Sequence, residues 1–147
     1  MSQEKYQHLF DIANTISSNH VEFSACEKGD SFSLEVSWHN KEGQKTRNLN
    51  ALEKTFGYGG KITHNKKKNT NQITIAAFRS RKIDVIKNDQ GQILPVATIN
   101  GHRAILTRIW VEVSQGHLLI PKVHYIDVFG TDLQTGENVQ ERITKKK

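Results

Sequence analysis

Residues 59–87, GGKITHNKKKNTNQITIAAFRSRKIDVIK, are the stretch around which the chain is organised. The segment carries eight lysines and arginines against one acid, Asp84, so its net charge is +7, whereas the whole chain is only +6. A positive cluster on an otherwise balanced protein is typical of proteins that bind phosphate backbones. The alternative is a solvated hairpin tip that only promotes solubility. We expect polyanion contacts from Lys61, Lys66, Lys67, Lys68, Arg79, Arg81 and Lys82.

The composition indicates one soluble domain in a reducing compartment. A chain of 147 residues is long enough to bury a core, although its hydrophobic content of 35% is low. The single cysteine, Cys26, excludes an internal disulfide and a cysteine-based zinc motif. The N-terminus lacks a basic segment followed by an apolar one, and no apolar run is long enough to cross a bilayer. We expect a cytoplasmic protein that contacts no membrane.

Apolar spacing and turn signals predict an α+β fold within a single domain. Residues 1–87 are expected to form an α-β-β-α-β-β part with an antiparallel sheet, followed by a β-rich part over residues 88–147. Apolar residues of segment 3–17 recur at i, i+3, i+4 spacing, which predicts the first helix. The second helix is predicted over residues 47–56, RNLNALEKTF, with Gly57 as its C-cap.

The strand predictions depend on strict alternation and on turn residues. In SFSLEVSW, residues 31–38, every second residue is apolar, and this strand is expected to pair with residues 20–26 in a hairpin. Asn100-Gly101 is the strongest hairpin turn signal in the chain. Trp110 and Tyr125 recur at strand spacing, and we assign them to the core or to an interface.

Two stretches resemble the LAGLIDADG homing endonucleases. HLFDIANTI, residues 8–16, lies where that family has the end of its motif helix. SFSLEVSWHNKEGQ followed by LNALEKTFGYGGKI is similar to the family's second strand, second helix and glycine-rich turn. The resemblance covers about residues 6–86. Two departures matter, because Ala13 stands where the family has its metal-binding acid and Asn14 where it has a helix-packing glycine.

The resemblance implies a curved antiparallel sheet in the major groove of duplex DNA. Nucleases of this size commonly work as homo-oligomers, and a two-fold arrangement would match a palindromic or pseudo-palindromic site. Alternate strand residues would then face the bases, among them Asn65 and Gln72, whose amides can read adenine. Simple solvent exposure is the alternative for one face of any antiparallel sheet.

Metal-dependent cleavage needs carboxylates that converge on a divalent ion. We predict a Mg²⁺ site in which Asp11 acts with Glu22 or Glu35, so these three acids are the candidate catalytic residues and Asp11 and Glu35 the candidate metal ligands. The leading hypothesis is a DNA-binding protein, with a homing-type endonuclease that cuts duplex DNA as its enzymatic form. Ordinary surface carboxylates are the alternative.

Two other classes of function stay open. The seven histidines form no H-x-x-x-H or H-E-x-x-H motif, which argues against a dedicated zinc site. A metal-independent ribonuclease could instead use His102 or His124 as general acid and base. A non-enzymatic protein-binding module, of the inhibitor or immunity type, would dock the basic hairpin on an acidic partner.

Overall fold

The computed structural model describes residues 6–15, 19–29, 31–40, 42, 44–48, 60–65, 67, 70–75, 81–115 and 121–144. These residues form eleven β-strands in one sheet. The strands are β1 (Gln7–Asn14), β2 (His20–Lys28), β3 (Ser31–His39), β4 (Lys45–Asn48), β5 (Gly60–Asn65), β6 (Thr70–Ile75), β7 (Lys82–Lys87), β8 (Ile93–Ile99), β9 (His102–Gln115), β10 (Pro121–Asp132) and β11 (Asn138–Thr144).

The α+β prediction is wrong, because the described residues contain no helix and the fold is all-β. The predicted first helix is strand β1. A β-bulge between His8 and Phe10 buries Leu9 and Phe10 in succession, and this pair imitated helical spacing. The predicted second helix begins inside β4, and residues 49–56 lie outside the described residues.

The resemblance to the LAGLIDADG family fails for the same reason. Its motif requires a helix at residues 8–16, and most of this segment is strand β1. The antiparallel pairing of β2 with β3 and the turn at Asn100-Gly101 are present as expected. Both turn residues have positive φ, 50° and 81°, as the tight hairpin requires.

Strand β9 joins two antiparallel meanders into one sheet. One meander runs β1-β2-β3-β4 and the other runs from β5 to β11. The first part of β9 pairs with β8, and after Thr107 the same edge pairs with β1, in parallel. The other edge of β9 pairs with β10 along almost its whole length. The N-terminal meander is therefore attached through four parallel residue pairs, Asp11–Asn14 against Arg108–Val111.

The sheet curls around an apolar inner face. Phe10 and Phe23 stack there with ring centroids 4.6 Å apart, and β5 approaches β3 from the far end of the strand order. The completely buried large side chains include Ile12, Ile73, Ile83, Ile99, Leu106 and Ile109. The opposite, outer face carries the polar alternate residues of β1, β2, β3, β9 and β10. In the part of the chain described above, no helix is long and apolar enough to cross a membrane.

Glu141 connects β11 to Arg81, just before β7, and to Asn100, in the turn between β8 and β9. Its carboxylate accepts two hydrogen bonds from the Arg81 guanidinium, one of them at 2.9 Å, and a third from the backbone N–H of Asn100 at 2.6 Å. The bonds from Arg81 and from the Asn100 N–H lower the pKa of Glu141, although desolvation opposes them. The ionised carboxylate therefore stabilises the curl.

We predict that Glu141→Gln lowers the free energy of unfolding at neutral pH by about 1–3 kcal/mol, the cost of breaking a charge-assisted hydrogen-bond group. Because the folded-state pKa of Glu141 lies below its ordinary value, its contribution is present above that value and is lost as the pH falls through the folded-state pKa. Urea titrations at pH 7 and pH 3 test this. Exposed Glu137→Gln is the control, and an equal loss at both pH values would contradict the assignment.

Candidate metal centre on the outer sheet face

Three adjacent strands bring histidines and carboxylates together on the outer face. Asp11 of β1 lies directly opposite Glu22 of β2, and His20 of β2 lies opposite His39 of β3. The fifth member, His8, lies on β1 beside Asp11. We call these five residues the outer-face cluster.

The β-bulge in β1 creates this arrangement. Residues three apart on a regular strand point to opposite faces of a sheet. The extra residue between His8 and Phe10 shifts the register, so His8 joins Asp11 on the same face. The irregularity that hid the strand from sequence analysis therefore also builds the site.

One ligand atom each from His8, Asp11 and Glu22 lies within 4.8 Å of the others. Two ligands of one ion are separated by at most about 4.2 Å when each bond is about 2.1 Å long. Small side-chain rotations would therefore let all three atoms hold one ion. The His8 side chain is 50% exposed, so the ion would keep open positions toward solvent.

The surroundings of His8 favour the protonated form of its imidazole. Its Nε2 donates a hydrogen bond to Asp11 Oδ1 at 2.5 Å. This bond raises the pKa of His8; desolvation works against it, and the charges of Asp11 and Glu22 add to the increase. A bound cation would replace the proton that His8 Nε2 shares with Asp11 Oδ1.

Glu22 contacts two of the three histidines of the outer-face cluster. Its Oε2 lies 2.8 Å from His20 Nε2 and 3.4 Å from His39 Nδ1, and the His20 and His39 rings stack with centroids 6.0 Å apart. His39 Nε2 is within 2.9 Å of Ser37 Oγ. Such hydrogen bonds fix the orientation of a ligating carboxylate.

The contacts from the Ser37 hydroxyl to the His39 imidazole and from His39 to the Glu22 carboxylate follow the order nucleophile, base and acid of a catalytic triad. Ser37 is only 2% exposed, however, so a substrate cannot reach its hydroxyl. We therefore assign Ser37 to orienting His39 and assign the solvent-facing chemistry to His8, Asp11 and Glu22.

The donor set indicates which ions fit. Imidazole together with carboxylates suits Mn²⁺, Fe²⁺, Co²⁺ or Zn²⁺, whereas Mg²⁺ is usually held through oxygen ligands alone. Three protein ligands with open positions are typical of catalytic rather than structural centres. The geometry thus favours a transition-metal ion over the Mg²⁺ expected from sequence.

Arg108 lies beside this centre. It is the cross-strand neighbour of Asp11 on β9, it is exposed, and its guanidinium lies over the Trp110 ring at 5.4 Å. Three other arginines are paired with carboxylates: Arg81 with Glu141, Arg103 with Asp84, and Arg142 with Asp127. Among the side chains that the structure describes, no carboxylate forms an ion pair with Arg108.

Only two of the three predicted catalytic acids lie together in the fold. Asp11 and Glu22 come together, whereas Glu35 lies further along the outer face, 3.7 Å from Lys45 Nζ, and is not in the ligand group. Sequence analysis missed His8, His20 and His39, because they converge from three strands at no motif spacing. Alternation in HVE and SWH was the available signal for His20 and His39, since it places each of these two on the same strand face as a polar neighbour.

The structure describes only part of the basic hairpin, residues 61–82. Residues 66, 68 and 79 (Lys66, Lys68 and Arg79) lie outside the described residues, and Lys61 is a backbone member of β5. Asn65 accepts a bond from the Lys67 backbone N–H, and Gln72 donates to Asp84. Lys67 and Lys82 are exposed, whereas Arg81 is held by Glu141.

The two candidate ribonuclease histidines lie far apart. His102 Nδ1 is 2.9 Å from Asp132, near one end of β10, and His124, near the other end, is 2.9 Å from Ser114. The eight-residue separation along this strand corresponds to about 26 Å. They cannot act as an acid–base pair on one phosphate.

The fold and the site define a class of protein: an all-β sheet protein with a candidate metal centre on its outer face. A family model described as a domain of unknown function (DUF4833) matches residues 12–142, and the chain belongs to this family. The match replaces the LAGLIDADG resemblance. Neither a curated protein nor a solved structure matches the chain significantly.

We predict that Mn²⁺ at about 100 times its dissociation constant raises the melting temperature by roughly 5–10 °C, because ligation of the folded state alone adds about 2.7 kcal/mol. Asp11→Asn and Glu22→Gln should abolish the shift without unfolding the protein, since each removes one of two opposed carboxylates. Differential scanning fluorimetry measures the effect. Glu35→Gln should keep the full shift, and its loss in that variant would move the site to Glu35.

Proposed function

We propose that the protein is a metal-dependent phosphodiesterase that acts on nucleic acid at the outer-face cluster. The observation that carries the proposal is the convergence of His8, Asp11 and Glu22 next to Arg108. A homing function belonged to the family resemblance and is not part of the proposal. Three further expectations stay predictions: binding to duplex DNA, formation of a homo-oligomer and a cytoplasmic location.

The chemistry follows from the ligand set. A divalent ion held by His8, Asp11 and Glu22 would polarise a phosphoryl oxygen and lower the pKa of a coordinated water. Hydrolysis at such a site would form a bond between a water oxygen and phosphorus and break the bond to the leaving oxygen, which would take up the proton that the water loses. Arg108 would hold a non-bridging oxygen, because a guanidinium binds phosphate with paired donors. His20 and Glu22, hydrogen-bonded at 2.8 Å, supply a route for the proton that the water releases.

Charge makes binding depend on the ion. Without metal, the carboxylates of Asp11 and Glu22 lie at the centre of the face and repel a phosphate group. A divalent ion would neutralise the two carboxylates, so the positive charge of Arg108 would then dominate next to the cluster. Affinity for a polyanion at this face should therefore require the metal.

The basic hairpin contributes less than its charge count suggests. Arg81 is paired with Glu141, and Lys87 lies 3.1 Å from Glu27. Exposed Lys67 and Lys82 would add a non-specific, salt-sensitive attraction that needs no metal. Metal dependence therefore separates binding at the outer face from binding at the hairpin.

We predict Mn²⁺-dependent cleavage of a labelled single- and double-stranded DNA mixture that stops with excess chelator. Asp11→Asn and Glu22→Gln should remove cleavage, because each deletes a ligand charge. Arg108→Gln should lower kcat/KM by about 10- to 100-fold, the expected loss of a charge-assisted hydrogen bond. Gel electrophoresis of end-labelled products measures the rates.

Glu35→Gln serves as the control, since Glu35 is an acid of the same face that lies outside the ligand group. Cleavage that survives chelator, or that is insensitive to Asp11→Asn and Glu22→Gln, would refute the metal-dependent activity. Strong affinity for an acidic protein with none for DNA would support the protein-binding module instead.

A further inference from the structure

Two aromatic side chains stand together on the outer face of the C-terminal meander. Trp110 of β9 and Tyr125 of β10 are half-buried and occupy diagonal positions, since Tyr125 pairs with Glu112 and Trp110 pairs with Asp127. Their polar atoms meet at one carboxylate. Glu112 Oε1 accepts from Trp110 Nε1 at 3.1 Å and from the Tyr125 hydroxyl at 3.4 Å. The two rings are therefore held in place before any ligand binds.

Each ring is accompanied by a guanidinium group. Arg142 lies 3.9 Å from the centre of the Tyr125 ring and is anchored by Asp127, at 2.9 Å and 3.1 Å. Arg108 lies 5.4 Å from the centre of the Trp110 ring. Both arginines are exposed. Aromatic rings and guanidinium planes are the side chains on which unpaired nucleic-acid bases stack.

The aromatic pair adjoins the metal centre. Strand β9 is the neighbour of β1, and Trp110 lies opposite Ala13 two residues along from the Asp11–Arg108 pair. Because Ala13 has only a methyl side chain, it places little bulk between the indole and the cluster. Adjacent strands are about 4.8 Å apart, so a nucleotide whose phosphate contacts Arg108 has a ring within reach of its base.

We propose that the outer face binds single-stranded nucleic acid, with a phosphate between the outer-face cluster and Arg108 and an adjacent base on the platform formed by Trp110 and Tyr125. The inference rests on the proposed function, because the phosphate position is the one used for hydrolysis. Single strands are the occupant, since base faces are stacked inside a duplex and are free in a single strand. The positive charge of Arg108 and of a bound ion complements the phosphate.

The test compares a phosphorothioate oligothymidine with the matched duplex, in fluorescence anisotropy with Mn²⁺ present. We expect tighter binding of the single strand, and a loss of about 10- to 100-fold in Trp110→Ala. Trp110→Phe keeps a stacking ring and should retain most of the affinity, which a merely structural role of the indole would not predict. Leu133→Ala, which removes an exposed apolar side chain from the turn after β10, is the control and should leave the affinity unchanged.

Hydrolysis of bis(p-nitrophenyl) phosphate is measured in parallel, because this substrate reports metal chemistry without a polynucleotide. Hydrolysis together with unchanged oligonucleotide affinity in Trp110→Ala overturns the platform and leaves the proposed function standing. Trp110-dependent binding without hydrolysis supports the platform and removes the enzymatic proposal. Equal or tighter binding of the duplex overturns the assignment to single strands.

Discussion

The parallel pairing of β1 with β9 is the constraint on which the rest of the structure depends. At Thr107 one edge of β9 leaves β8 and continues along β1, while the other edge follows β10. This junction attaches the N-terminal meander to the C-terminal one. It also places Asp11 next to Arg108 and Ala13 next to Trp110, so the candidate metal centre and the aromatic pair share one face. Function, in this account, depends on a contact between residues nearly one hundred positions apart.

Local signals predicted local structure. The alternation of residues 31–38 and the Asn100-Gly101 turn identified two hairpins, because strand faces and tight turns are encoded by neighbouring residues. Strand β1 was mistaken for a helix, since its bulge buries Leu9 and Phe10 side by side. Trp110 was assigned to the core or to an interface, and it is half-buried on the outer face, so the assignment to an interface stays a prediction. The parallel junction has no local signature at all.

The residues of the candidate site were likewise predicted only in part from the sequence. Carboxylate chemistry singled out Asp11 and Glu22, and the structure brings these two acids together. The histidines around them were invisible to spacing rules, because His8, His20 and His39 come from three strands. The third acid, Glu35, was indistinguishable in sequence and lies beside Lys45 instead. The charge of the basic segment was also misleading, since Arg81 and Lys87 each pair with an acid sixty residues away.

Paramagnetic broadening of backbone amide NMR signals by substoichiometric Mn²⁺ is a direct test of metal binding at the outer-face cluster. Broadening falls steeply with distance from the ion and therefore locates it without any assumption about activity. If the ion binds there, signals around His8, Asp11 and Glu22 disappear first, while those of Lys67 and Lys82 persist. Broadening centred on Glu35, or spread evenly over the exposed acids, would contradict it.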